Sequence, residues 1–177
     1  MADRPELDVH VAPNVRVVRR ILIPFEPNVV AQRVFIHRNV VAIEEDAFRG
    51  WASLREVVIA PDSRLERIAP SAFADTALET FSAPDSLREI GAQAFANCRS
   101  LRTATLNEGL ERIGREAFRD SGLESVYLPS TLREVGAGCF AGCANPLNAQ
   151  LGMRPEENPR RWERAEENPP PEQINFL

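Results

Sequence analysis

A phenylalanine recurs along this chain every 22 to 25 residues, and this period constrains the fold more than any other feature. The five residues are Phe48, Phe73, Phe95, Phe118 and Phe140. A period in the low twenties is typical of a solenoid, in which each coil buries its apolar side chains against neighbouring coils. The sequence therefore predicts a stack of similar coils whose mode of action is surface binding.

Each repeat carries the same succession of residue types around its phenylalanine. A Leu-x-x-Ile or Leu-x-x-Val segment comes first, then Ala-Phe, and then a Leu that opens a short apolar strand; residues 87–95 and 110–118 are the clearest copies. Between the Phe and this strand we expect a short helical turn. Gly91, Gly114 and Gly136 follow the Ile or Val, where we expect glycine to permit a tight corner.

The segment from Ile90 to Leu106 reads Ile-Gly-x-x-Ala-Phe-x-x-Cys-x-x-Leu-x-x-x-x-Leu and resembles the BspA-type leucine-rich repeat. The resemblance covers roughly residues 30 to 147. It implies a right-handed solenoid with a parallel sheet on one face, used for protein or ligand contact, as in surface and intracellular proteins of bacteria and microbial eukaryotes. We therefore expect an α/β solenoid of the leucine-rich-repeat class, with short helical turns.

Three segments are predicted along the chain. Residues 1–28 read as an N-terminal cap over the first coil, with strand character from Val15 to Ile23. Residues 29–147 form the solenoid of about five repeats. Residues 148–177 are rich in Pro, Glu and Arg, and such a segment cannot bury enough apolar surface to fold alone. The sequence predicts that this last segment is an extended tail.

Composition argues against several classes of partner. The net charge is −5 and the pI is about 5.2, without a basic stripe, which argues against binding to nucleic acid. No apolar run approaches the roughly 20 residues that a membrane-spanning helix needs. The first residues lack a signal-peptide pattern, and three cysteines fit a reducing compartment. We predict an intracellular protein, or a cell-surface protein if the chain is a fragment.

Catalytic groupings are sparse in the sequence. The only histidines are His10 and His37, and no lysine occurs, which removes a Schiff-base nucleophile. Cys98 and Cys143 fall in a core slot three residues after the phenylalanine, so we expect buried thiols. Cys139 and Cys143 have no further ligand nearby for a metal ion. The sequence predicts no enzyme activity, no cofactor and no metal site.

Charged residues at three repeated positions alternate in sign from coil to coil. Equivalent residues of stacked coils lie about 5 Å apart, where opposite charges attract and like charges repel. We expect these ladders to neutralise themselves, which makes them poor sites for a charged ligand. They consist of Arg55, Glu79, Arg102 and Glu124; of Glu66, Arg88, Glu111 and Arg133; and of Arg67, Glu89, Arg112 and Glu134.

Alternation along the strands predicts which side chains face solvent. The exposed central column is Phe35, Val58, Ser82, Thr105 and Tyr127, and the flanking column is Arg33, Glu56, Thr80, Thr103 and Ser125. Aromatic residues at the ends and hydroxyl residues between them suit a binding surface. Stabilisation of the strands by Thr, Val and Tyr alone is the alternative explanation.

The sequence predicts a non-catalytic protein–protein interaction module or a small structural subunit of a larger assembly, whose protein partner binds the strand face. The tail is a second candidate for docking through Trp162, Phe176 and Leu177, and a frayed terminus is the alternative there. An adhesin-like cell-surface module is the alternative function.

Overall fold

The computed structural model describes residues 6–11, 13–19, 30–143 and 148–151, which form a stack of coils in which every strand pairing is parallel. Two kinds of strand alternate along the chain. The longer strands are β1 (Glu6–His10), β3 (Val30–Ile36), β5 (Glu56–Ile59), β7 (Thr80–Ser82), β9 (Thr103–Thr105), β11 (Ser125–Leu128) and β13 (Asn148–Leu151). The two-residue strands are β2 (Val17–Val18), β4 (Ala42–Ile43), β6 (Arg67–Ile68), β8 (Glu89–Ile90), β10 (Arg112–Ile113) and β12 (Glu134–Val135).

The two kinds of strand lie on two sides of the coils. The two-residue strands form one six-stranded sheet in the order β2-β4-β6-β8-β10-β12, which we call the second sheet. The longer strands form the sheets β1-β3-β5 and β7-β9-β11-β13, whose exposed side we call the strand face. The predicted solenoid with a parallel sheet is therefore confirmed.

Strands are also present in the two segments that flank the predicted repeat region. Strands β1 and β2 lie within the segment expected to cap the first coil, and they continue the two sheets by one coil. Of the strand expected from Val15 to Ile23, the structure shows β2, and residues 20–23 lie outside the described part. Strand β13 lies in the predicted tail and pairs in register with β11.

The expectation of short helical turns after each phenylalanine is wrong, since the described residues contain no helix. The first four of these five turn segments instead donate every second amide to the next coil. In one coil, Gln93 N–H bonds to Arg115 O at 2.9 Å, Phe95 N–H to Ala117 O at 2.7 Å and Asn97 N–H to Arg119 O at 2.8 Å. The turn segments thus form a third ladder of backbone hydrogen bonds between coils, in addition to those of the strand face and the second sheet.

Backbone conformation explains why these segments are not helical. Gln93 has a φ of 56° and Asn97 a φ of 59°, whereas a right-handed helix needs a negative φ at every residue. The same two positions have a positive φ in the other four complete coils, at Asp46, Gly50, Ser71, Asp75, Glu116, Asp120, Gly138 and Gly142. This conformation points alternate amides outward to the neighbouring coil.

The five repeated phenylalanines stack into one column through the core. Phe48, Phe73, Phe95 and Phe118 have no exposed surface, and Phe140 is 9% exposed. Successive ring centroids lie 5.1, 5.3, 5.2 and 5.6 Å apart with nearly parallel planes. The column therefore holds each coil in place against the two coils beside it.

The repeated glycines are required by close packing rather than by a special conformation. None of Gly91, Gly114 and Gly136 has a positive φ. A Cβ on Gly91 would lie 2.6 Å from the backbone nitrogen of Pro70, and a Cβ on the other two would clash with the backbone of the preceding coil as well. Glycine is thus needed at these positions because two coils approach each other closely there, rather than because the chain turns a tight corner.

The charge ladders form in part. Arg112 pairs with Glu89 at 3.1 Å, and Glu89 raises the pKa of Arg112 by its hydrogen bond and its charge. Arg55–Glu79, Arg102–Glu124 and Arg133–Glu111 also pair, at 3.2, 3.3 and 3.9 Å. The other four ladder residues depart from the prediction. Arg67 pairs with Glu44, Arg88 donates to the carbonyl of Gly109, and Glu66 and Glu134 form no salt bridge with a described residue.

Replacement of the central ring tests the phenylalanine column. We expect Phe95→Ala to lower the free energy of unfolding by about 3–5 kcal/mol, because it leaves a cavity between two packed rings. Chemical denaturation followed by circular dichroism measures this. A variant as stable as the parent would contradict the packing of Phe95.

Substitutions at Ser71, whose φ is 54°, test the conformation of the turn segments. Ser71→Val should lower the unfolding free energy by about 1–2 kcal/mol, because a β-branched residue is strained at positive φ. Ser71→Gly should leave stability unchanged or raise it. In a helix, glycine would instead lower the unfolding free energy by about 0.5 kcal/mol relative to serine. Thermal unfolding of the two variants therefore decides between the two conformations.

Charge reversal tests the ladder on the second sheet. Arg112→Glu places a third carboxylate between Glu89 and Glu134, which flank it in the sheet. We expect a lower melting temperature, a loss that shrinks as salt is added, and partial recovery on adding Glu89→Arg. A loss that ignores both salt and the second substitution would mean that Arg112 acts by packing.

Candidate functional site

The strand face presents the two columns that the sequence predicted, within each of its two sheets. Phe35 lies opposite Val58, and Ser82, Thr105 and Tyr127 lie opposite one another in β7, β9 and β11. The flanking residues are opposite one another in the same way: Arg33 lies opposite Glu56, and Thr103 lies between Thr80 and Ser125. The five Ser and Thr side chains among them are exposed, while the residues between them along each strand point into the core.

The central column is divided between β5 and β7. One hydrogen bond, from Glu79 N–H to Arg55 O at 3.0 Å, joins the two coils at the start of these strands, and no ladder follows it. The step from β5 to β6 is two residues longer than the step from β7 to β8, which takes β5 out of register. Val57 and Ile59 are half-buried, whereas Phe81 and Ala83, which hold the equivalent positions one coil later, are buried.

The strand face therefore has two halves. The apolar half carries Phe35 and Val58 on β3 and β5. The hydroxyl half is the set Thr80, Ser82, Thr103, Thr105, Ser125 and Tyr127 on β7, β9 and β11. A continuous column of five residues, which the sequence predicted, is not present, because the break between β5 and β7 separates Val58 from Ser82.

Phe35 is less available to a partner than the sequence suggested. Its ring stacks on that of His10 from β1, with centroids 4.5 Å apart and planes 4° from parallel. The guanidinium of Arg33 lies 5.7 Å from the same ring and makes two hydrogen bonds to Asp8, at 3.0 and 2.9 Å. Phe35 is half-buried in this arrangement, so it fastens β1 onto the sheet.

Tyr127 is held in place by a residue that sequence reasoning missed. Its hydroxyl donates to Glu108 Oε1 at 3.0 Å, and the same carboxylate accepts bonds from the Ser130 amide at 3.2 Å and the Ser130 hydroxyl at 2.9 Å. Glu108 lies in the loop after β9, one coil before Ser130. The spacing of 22 residues between Glu108 and Ser130 matches the repeat and was the available signal.

The charge of Glu108 follows from these contacts. Partial desolvation raises the pKa of this carboxyl, but the hydrogen bonds from Ser130 and Tyr127 favour the ionised form and hold the pKa below its ordinary value. Glu108 is therefore an anion at neutral pH. It fixes the orientation of the Tyr127 hydroxyl, while the ring of Tyr127 stays half-exposed on the strand face.

The cysteines lie in the core, as the sequence predicted for Cys98. Cys98 is fully buried and lies 3.3 Å from the hydroxyl of Thr76, and burial raises its pKa. Cys139 is buried as well, and burial raises its pKa to about 12. Cys143 is half-buried, 3.3 Å from the Ser121 hydroxyl. These thiols are therefore protonated at neutral pH and poor nucleophiles.

Among the described residues, no group of three or more His, Cys, Asp or Glu side chains comes together in a way that could hold a metal ion. In the same part of the chain no helix has the length and apolar character needed to cross a bilayer. The tail residues predicted for docking, Trp162, Phe176 and Leu177, lie outside the described residues.

Solved structures share this architecture. The pneumococcal vaccine antigen PcpA aligns with a TM-score of 0.76 at 23% identity, over 86% of this chain and 42% of its own. A leucine-rich-repeat protein of T. pallidum aligns with a TM-score of 0.61 at 26% identity, over 81% and 72%. A leucine-rich cell-surface protein of Faecalibacterium prausnitzii aligns with a TM-score of 0.56 at 19% identity, over 81% and 48%. This chain thus spans less than half the length of the first and third of these proteins.

Comparison at the level of sequence identifies the repeats. A search among curated proteins found no match. The family model for the BspA-type leucine-rich repeat region matches residues 25–146 in six copies, which is more than half of the chain. The chain therefore belongs to the BspA-type leucine-rich repeat family, and the resemblance seen in its sequence is confirmed.

Proposed function

We propose that this chain is a non-catalytic protein-binding module and that its partner docks on the hydroxyl half of the strand face. One observation carries the proposal. The hydroxyls of Thr80, Ser82, Thr103, Thr105 and Ser125 are exposed, and none of them hydrogen-bonds to another described side chain or backbone group. Leucine-rich-repeat proteins generally act as protein-binding or cell-surface modules, which agrees with this use of the face.

The chemistry of this surface suits a protein partner. Each hydroxyl donates one hydrogen bond and accepts others, so five of them match the mixed polar groups of a protein surface. The alternative, that these residues only stabilise strands, would be better supported if their hydroxyls bonded to one another along the ladder. The parallel sheet fixes the backbone beneath them, so little conformational entropy is lost when a partner binds.

Tyr127 supplies the anchor at one edge of this surface. A tyrosine ring buries much apolar area with few rotatable bonds, and such residues dominate the binding energy of many interfaces. The bond to Glu108 holds the ring before the partner arrives. The ion pairs of the second sheet, such as Arg112–Glu89 and Arg133–Glu111, lie on another side of the coils from this surface.

A cell-surface module is the second candidate function. The name of the F. prausnitzii protein places that relative at the cell surface, and its likeness to this chain is one of fold. The hydroxyl half would serve a surface partner equally well, so location rather than geometry separates the two candidates. An intracellular module or subunit is the version that we favour from the composition of the sequence.

Binding assays on strand-face variants test the proposal. An affinity pull-down from a lysate of the source organism, followed by mass spectrometry, would supply the partner, and calorimetry would supply its affinity. We expect Tyr127→Ala and Thr105→Arg each to weaken binding about tenfold or more, the size expected of a central interface residue. Both side chains reach solvent, so the melting temperature should change little.

Two controls separate this site from other parts of the chain. Arg112→Ala, on the second sheet, should leave the affinity unchanged. A joint Phe176→Ala and Leu177→Ala change tests the end of the tail. Binding that survives both strand-face changes and disappears with the tail change would assign the site to the tail and would contradict our proposal.

Location is tested separately on intact cells. An antibody raised against this chain should stain permeabilised cells only, if the module is intracellular. Staining of cells that have not been permeabilised would favour the cell-surface candidate, with the same strand face as its binding site.

A further inference from the structure

Coils of two lengths alternate along the solenoid. The step from the repeated phenylalanine to the leucine that opens the next strand takes five residues where it ends at Leu78. It takes six residues in the two neighbouring coils, where it ends at Leu54 and at Leu101. The shorter coil thus lies between two longer ones, and an open depression of about 380 Å³ lies over it.

The additional residue of the longer coils turns the backbone outward on both sides of this depression. Ala52 N–H bonds to Gly50 O at 2.8 Å, and Arg99 N–H bonds to Asn97 O at 2.9 Å. Residues 73–78 of the shorter coil, all of which the structure describes, contain no such bond. Ala52 and Arg99 are exposed and form two walls, with the half-buried Ala77 between them at the base.

The hydrogen-bond acceptors of the depression are held in place by bonds within the protein. Asn97 Nδ2 donates to Asp75 Oδ1 at 2.9 Å, and Arg49 Nε lies 3.5 Å from Asp75 Oδ2. The carbonyl oxygen of Asn97 and further lone pairs of Asp75 can still accept hydrogen bonds from a ligand. These acceptors are therefore oriented before a ligand binds, which lowers the entropy lost on binding.

Two hydrogen-bond donors beside these acceptors are unused. The side chains of Arg99 and Ser100 line the depression and make no hydrogen bond or ion pair with a described residue. Most of the other described arginines pair with a carboxylate. Arg99 therefore offers a free guanidinium, with several N–H donors, at the edge of a depression that also holds fixed acceptors.

We propose that this depression binds a neutral saccharide, with one sugar ring between the walls formed by Ala52 and Arg99. A sugar hydroxyl both donates and accepts hydrogen bonds. Neighbouring hydroxyls of one ring therefore bond at the same time to the guanidinium of Arg99 and to the acceptors Asp75 and Asn97. The methyl group of Ala77 provides a small apolar surface for the C–H groups of the ring. This site is additional to the protein-binding surface proposed for the hydroxyl half.

The charges of the depression favour a neutral ligand over an anion. The carboxylate of Asp75 lines the same depression as the guanidinium of Arg99, so the lining carries both signs. An anion would be attracted by Arg99 and repelled by Asp75. The net charge of −5 on the whole chain repels an anion further.

The depression is separate from the hydroxyl half of the strand face. Ala77 precedes Thr80 by three residues, and Ser100 precedes Thr103 by three residues. Three residues of extended chain span about 10 Å. Substitutions in one site therefore leave the other intact, and the two proposals can fail independently.

An NMR titration of the full-length chain with matched sugars tests the site. The probes are glucose, galactose, mannose, N-acetylglucosamine, lactose and cellobiose, together with glucuronic acid as the charged counterpart of glucose. We expect at least one neutral sugar to shift the amide signals of residues 75–77 and 97–100 in a saturable way, and glucuronic acid to bind no more tightly than that sugar. Saturable shifts with none of the neutral sugars, or with glucuronic acid alone, would overturn the proposal.

Variants of the two walls, titrated with the sugar that binds, locate the site. Arg99→Ala should weaken binding about tenfold. Ala52→Phe, at an exposed position, should fill the depression and abolish binding without a change in melting temperature. Arg64→Ala removes another exposed arginine that has no ion pair with a described residue, so it should leave binding unchanged.

The strand-face variant Thr105→Arg separates the two sites. It should leave the affinity for the sugar unchanged, whatever its effect on a protein partner. Sugar binding that survives both wall variants, or that disappears in Thr105→Arg, would overturn the assignment to this depression.

Discussion

The coils of this protein are held together by backbone hydrogen bonds that run between them on three sides. The strand face and the second sheet supply two ladders, and the turn segments supply a third, with three amides per coil donating to the next. The second sheet and the turn segments link the coils without a break, also where the strand face is interrupted between β5 and β7, so each phenylalanine falls directly on that of its neighbour. The column of rings, the close approach at the glycines and the alternating charges all depend on this constant spacing.

Much of this architecture could be predicted because the same residue types recur at the same spacing in every coil. The 22 to 25 residue period predicted the stack of coils, the buried phenylalanines and the register of the exposed columns within each sheet. The conformation of the turn segments could not be predicted in the same way. The left-handed positions hold Asp, Ser, Gln, Glu, Asn and Gly, and so varied a set does not stand out from the residues of a short helix.

Local differences between repeats account for the remaining errors. The longer connection from β5 to β6 breaks the strand face, and its effect on pairing depends on the neighbouring coil rather than on its own residues. Glu108 was missed because its partners lie one coil away and its own segment carries no charge pattern. The exposed residues of the hydroxyl half were found, since strand alternation alone decides them. Their assignment as a binding surface remains our proposal, and it rests on hydroxyls that bond to no other described group.

The hydrogen bonds of the turn segments distinguish this stack from one with helical turns, and amide hydrogen exchange measured by NMR tests them most directly. In a short helical turn, the Gln93 amide would lie in the first turn, without a partner, and would exchange quickly. With the ladder present, the amides of Gln93, Phe95 and Asn97 should exchange as slowly as those of β9 and β10, through global unfolding. Fast exchange at Gln93 and Asn97 in a protein whose strands are protected would contradict the stacking described for this chain.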